Sequence, residues 1–148
     1  MNWNHYRFVS VWEFRAPPEA VYAALERVQD YPRWWPQVRE VTRSGSESGT
    51  TRIRSLLPYD LVTTVRERRH DPAHGVLEAA LGGDLDGWVR WTVEPCGSGT
   101  RAVYEQEVEV RRRLLRVLAV PCRPVFRANH ALMMRAGRRG LAARLEAV

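Results

Sequence analysis

The chain has 148 residues, 45% of them hydrophobic and 27% charged, a balance that suits one soluble domain able to bury its own core. Every basic residue behind the net charge of +6 is arginine and none is lysine, which excludes lysine Schiff-base chemistry and a covalently held pyridoxal cofactor. The two cysteines, Cys96 and Cys122, form no C-x-x-C pair, which argues against zinc and against a disulfide framework and fits a reducing cytoplasm.

The opening MNWNHYRF has no basic start and no apolar stretch, so no signal peptide is expected, and no apolar run reaches membrane-spanning length. HYRFVSVWEF alternates, with Tyr6, Phe8, Ser10, Trp12 and Phe14 on one face, which predicts a first strand buried on one side. APPEAVYAALERV predicts a helix, with proline tolerated at its start and Val21, Leu25 and Val28 at helical spacing. DYPRWWPQV then predicts a second, very short helix: Asp30 as N-cap, Pro32 in the first turn and Pro36 as the stop.

Strands are expected at 37–43, 51–57, 61–69, 75–81, 87–94 and 100–110, separated by turns rich in Gly, Ser, Pro and Asp. In the last, Ala102, Tyr104, Gln106, Val108 and Val110 should face inward, and Arg101, Glu105, Glu107 and Glu109 should face water. Pro121 and Pro124 should break the following helical stretch, and a long helix should run from Phe126 to Leu145. Phe126, His130, Met133, Gly137, Leu141 and Leu145 form its inward stripe, with Gly137 marking close approach to the sheet. No repeat or low-complexity linker appears, so residues 1–148 read as a single domain. Segregated strands and helices argue an α+β class with an antiparallel sheet.

This order, together with APPEAVYAAL and YPRWWPQV, resembles the helix-grip superfamily of START-like and Bet v 1-like proteins (SRPBCC). It is most similar to the bacterial polyketide cyclase/dehydrase-like branch, on LPY (57–59), GDLDG (83–87), RPVFRANH (123–130) and GLAARL (140–145). The resemblance implies a curved antiparallel sheet of about seven strands wrapped around the long C-terminal helix, with two short helices closing one end. It also implies a cavity for a hydrophobic small molecule, as in a polyketide cyclase or a lipid carrier. Trp34 or Trp35 should plug the closed end, either as plain core or as a wall of that cavity.

Apolar pockets with a few convergent polar groups are the default binding site. Ser10, Thr63, Tyr104 and Gln106 from strands, and His130 and Asn129 from the helix, are the inward polar positions. His130 has the right ordinary pKa for acid–base work. Tyr104 could donate to a carbonyl that becomes an enolate, with Gln106 and Asn129 orienting it. Equally, Asn129 and His130 could simply pin the helix start to its surroundings. Relatives often carry tryptophan where this chain has Gln106, which should make the cavity larger and more polar. Trp12, Phe14, Trp35, Tyr59, Val65, Trp91, Phe126, Met133 and Met134 complete the expected ligand-contacting set.

Asp84 and Asp86 read as solvated turn acids. RRRLLRVLAVPCRPVFR, basic with interleaved apolar residues, suits an acidic carrier protein or a membrane surface, or a plain solvated face. No recognition motif supports nucleic acid. Without a dinucleotide glycine fingerprint or metal-ligand spacing, no cofactor is expected. Two functions remain: a cofactor-free cyclase or dehydratase, and a non-catalytic carrier or sensor of an apolar ligand.

Overall fold

The computed structural model describes residues 5–54, 60–111 and 123–146. Strand β1 (His5–Phe14) leads into helix α1 (Pro18–Glu26), a 3-10 turn (Val28–Asp30) and the short helix α2 (Tyr31–Trp34). Strands β2 (Val38–Arg43), β3 (Ser48–Ile53), β4 (Leu61–Asp71), β5 (Val76–Gly83), β6 (Leu85–Cys96) and β7 (Gly99–Val110) follow, then helix α3 (Arg123–Glu146). They form one 7-stranded sheet in the order β1-β7-β6-β5-β4-β3-β2, antiparallel throughout. This is the helix-grip α+β architecture.

The strands form where side chains alternate. In β1, Tyr6, Trp12 and Phe14 are buried while Arg7, Val9, Val11 and Glu13 are exposed. In β7, Thr100, Ala102, Gln106, Val108 and Val110 are buried on alternate positions. The β1–β7 register sets Phe8 opposite Gln106 and Ser10 opposite Tyr104, which places the polar positions of the two strands side by side.

Several boundaries differ from the sequence expectation, three of them at the start of an element. Strand β3 starts at Ser48, inside the expected turn, and pairs with β4. Strand β6 starts at Leu85, because the turn is closed by Asp84, whose carboxylate accepts the Val62 N–H at 2.8 Å. Helix α3 is already helical at Arg123, ahead of the expected Phe126. Pro121, LPY and residues 112–122 of the basic stretch lie outside the described residues.

The buried core gathers at the end closed by α1 and α2. Trp12, Phe14, Val21, Leu25, Trp34, Trp35, Trp91, Met134 and Leu141 form one cluster. Trp12 is its hub, with ring centroids of Trp91 at 4.8 Å, Trp35 at 5.4 Å and Trp34 at 6.4 Å. A smaller cluster of Tyr6, Val108 and Val110, with Phe126 and Phe8 packed on it, holds the other end.

The expected close approach at Gly137 is real, but its main partner is not the sheet backbone. A Cβ there would stand 2.5 Å from Trp35 Cε2 and 2.9 Å from Trp12 Cη2. One turn on, a Cβ at Gly140 would stand 1.7 Å from the Trp34 carbonyl oxygen. Both tryptophans of the YPRWWP segment therefore clamp α3 through its glycines, and both are buried. Among the described residues no helix is long and apolar enough to cross a membrane.

Candidate functional site

Between the concave face of the sheet and α3 lies a cavity of about 520 Å³, within the range of small-molecule sites. Helix α3 contributes Phe126, Asn129, His130 and Met133; the sheet contributes Thr63, Val65, Trp91, Tyr104 and Gln106; Trp35 closes the α2 end. Trp35 is thus core and cavity wall at once, whereas Trp34 does not reach the wall. The cavity is not sealed. The exposed residues Glu26, Arg43, Glu47 and His70 belong to its lining, so it opens to water between the end of α1 and the β2–β3 hairpin.

Some expected ligand contacts stand elsewhere. Trp12, Phe14 and Met134 lie off the wall, because the rings of the closed end pack against them. Ser10 is a short side chain set opposite Tyr104 and also lies off the wall. Tyr59 falls outside the described residues. Conversely, Tyr6, Phe8, Tyr31, Thr51, Leu77 and Val89 line the cavity without having been singled out. For Tyr6 and Phe8 the signal existed, since they alternate on the inward face of β1.

The polar groups converge at one place. Gln106 Oε1 accepts from the Tyr104 hydroxyl at 2.6 Å and lies 3.2 Å from His130 Nε2. An amide oxygen that already takes one proton can take a second only from a donor, so His130 is the Nε2–H tautomer. The imidazole is held flat against Phe8, centroids 3.7 Å apart at 10°. Burial lowers the His130 pKa to about 4, so the ring is neutral near pH 7 and not poised at neutrality as its type suggests. Burial also pushes the Tyr104 hydroxyl well above the usual phenol range, which keeps its proton in place. Asn129 lies beside His130 on the cavity wall.

A second polar spot is formed by Thr51 and Thr63, whose hydroxyls meet at 2.5 Å within the lining. At the mouth, His70 Nε2 and Glu26 Oε2 stand 2.6 Å apart, joining α1 to β4, and this hydrogen bond raises the His70 pKa. Asp84 and Asp86 have structural partners: Asp84 takes the Val62 N–H, and Asp86 pairs with Arg111 at 2.9 Å. Among the described residues no group of three or more His, Cys, Asp or Glu side chains is placed to hold a metal ion.

The fold recurs in solved structures. The Zhui aromatase/cyclase of a Streptomyces species superposes with a TM-score of 0.77 at 15% identity, covering 96% of this chain and 94% of its own. A START superfamily protein of Mycobacterium smegmatis gives 0.76 at 17%, covering 95% and 97%. A Thermus thermophilus protein gives 0.73 at 19%, covering 97% of both chains. At these identities the likeness is one of fold. No curated protein matches the chain by sequence. The model of the family described as polyketide cyclase / dehydrase and lipid transport matches residues 6–146, and the chain belongs to that family.

Proposed function

We propose that the cavity binds an apolar small molecule carrying a ketone, and that the protein acts on it as a cofactor-free cyclase or dehydratase of the aromatase/cyclase kind. One observation carries this reading. Two neutral donors, the Tyr104 hydroxyl and His130 Nε2–H, aim at a single oxygen, Gln106 Oε1, on the cavity wall. A ligand carbonyl that displaces the Gln106 amide takes both hydrogen bonds. Such paired donors, fixed before the ligand arrives, favour the charge that builds on oxygen as a ketone becomes an enolate. The apolar walls fold a poly-ketone chain so that its reacting carbons meet, which is much of what an intramolecular aldol closure requires. In this role His130 is a donor and not a base, and the α-proton lost as the enolate forms passes to water entering through the cavity mouth.

The depressed His130 pKa also favours a second reading. A site without a competent base binds and carries its ligand without turnover. An aryl 1,3-diketone, whose enol band is visible in the near ultraviolet, separates the readings from a failure to bind. Saturable perturbation of that band, lost in Tyr104→Phe, is the expected result for both. Formation of a ring-closed product from a longer poly-ketone is expected for the enzyme alone. No saturable binding of either compound would overturn both.

A further inference from the structure

The outer flank of α3 carries a groove of about 430 Å³ that the cavity does not use. Arg39 of β2, Arg54 just past β3, and Arg135 and Arg139 on successive turns of α3 surround it, with Leu132 and Ala136 between them. Among the described residues no carboxylate belongs to its lining. Asp60 lies 3.9 Å from Arg54 and is shared with Arg52, while the other three arginines have no ion-pair partner among the described residues. The three unpaired guanidinium groups make the concavity electropositive, a setting that favours an anion there.

The helix extends this character beyond the groove. Between Arg123 and Leu145 it has six arginines and no acidic residue. Val125 and Leu132 are 50% and 46% exposed. Val125, Leu132 and Arg139 recur every seven residues, so they lie along nearly one line of the helix. Phe126, Asn129, His130 and Met133 face the cavity instead. Exposed aliphatics beside unpaired guanidinium groups are the two contacts that an anionic bilayer surface offers, acyl boundary and phosphate, to a helix lying on it.

We propose that the Arg39/Arg54/Arg135/Arg139 groove binds the phosphate of an anionic phospholipid headgroup, and that the Val125–Leu132 line rests on the same bilayer. The guanidinium groups stay charged at any physiological pH, so attachment depends on salt and lipid charge rather than on pH.

Vesicle co-sedimentation of the full chain tests this, using phosphatidylcholine vesicles with and without phosphatidylglycerol, at low and at physiological ionic strength. The expected result is attachment only with the anionic lipid, at least roughly tenfold weaker in Arg135→Glu/Arg139→Glu and weaker in Leu132→Ser. Arg39→Glu, on the strand side of the groove, should weaken it as well. Thermal melts and cavity-probe titration of each variant check that the fold is intact. Inorganic phosphate, titrated alone, separates the sources. A phosphate-dependent rise in melting temperature without vesicle attachment would assign the groove to free phosphate and overturn bilayer docking. Equal attachment of wild type and charge-reversed chains, or none at low ionic strength, or retention on an acidic carrier protein without attachment to vesicles, would overturn it too.

Discussion

The indole of Trp35 lies across Gly137, and its Nε1–H donates to the Met133 carbonyl at 2.9 Å. The same indole is a wall of the cavity, so the clamp that seats α3 also shapes the site. Gly137→Ala gains helix propensity worth about 1 kcal/mol but drives a methyl group into two rings. A net loss of about 1–3 kcal/mol is expected. Gly140→Ala should cost more, because the obstruction there is the Trp34 backbone, which has no rotamer to change. Urea denaturation of the two variants checks both the sign and the order.

Gln106 occupies the position where a ligand carbonyl would sit. Gln106→Leu strands the Tyr104 hydroxyl and the His130 N–H on the cavity wall, and should lower stability by about 1–3 kcal/mol. The same change should raise affinity for a ketone relative to the matching hydrocarbon, since only the ketone satisfies the stranded donors. Paired titrations of the two compounds against wild type and variant read this out. An unchanged ratio would show that the donors do not reach the ligand.

Acid should unfold the protein partly through His130. Its folded pKa, near 4, lies below the 6.5 of an unfolded histidine, so the unfolded chain binds more protons between those values. The stability this group contributes is complete above pH 6.5 and is lost as pH falls toward 4, a change of about 3 kcal/mol. His130→Phe keeps a ring against Phe8 and removes the titration, so its stability should vary less over that window. His70 has the opposite sign: with its pKa raised by Glu26, its contribution is present at low pH and lost as pH rises through the folded value. Being exposed, it matters little. Denaturation midpoints of both proteins from pH 4 to pH 7 test the assignment.

The fold was legible because its signals are local. The alternation in β1 and β7 and the prolines around α1 and α2 each report on neighbouring residues. The boundaries at Ser48 and Leu85 were not, since pairing with an adjacent strand overrides the turn character of Gly and Asp there. The site was legible in pieces. Tyr104 and Gln106 share a strand face two residues apart, and His130 sits on the helix stripe. Their meeting at one oxygen depends on how deeply the glycines let α3 descend, a distance no periodicity encodes. Trp12 and Phe14 look like cavity wall from alternation alone. Only the packing of Trp34 and Trp35 against that end makes them core.

In the proposed complex Tyr104 and His130 share one ligand oxygen. Difference infrared spectroscopy of a carbon-13 carbonyl ketone, bound to wild type, Tyr104→Phe and His130→Phe, measures it directly. Two hydrogen bonds should move the bound carbonyl stretch well below its value in hydrocarbon solvent, and each substitution should return it part of the way. A bound carbonyl that absorbs as it does in hydrocarbon, and does so equally in all three proteins, would contradict the account.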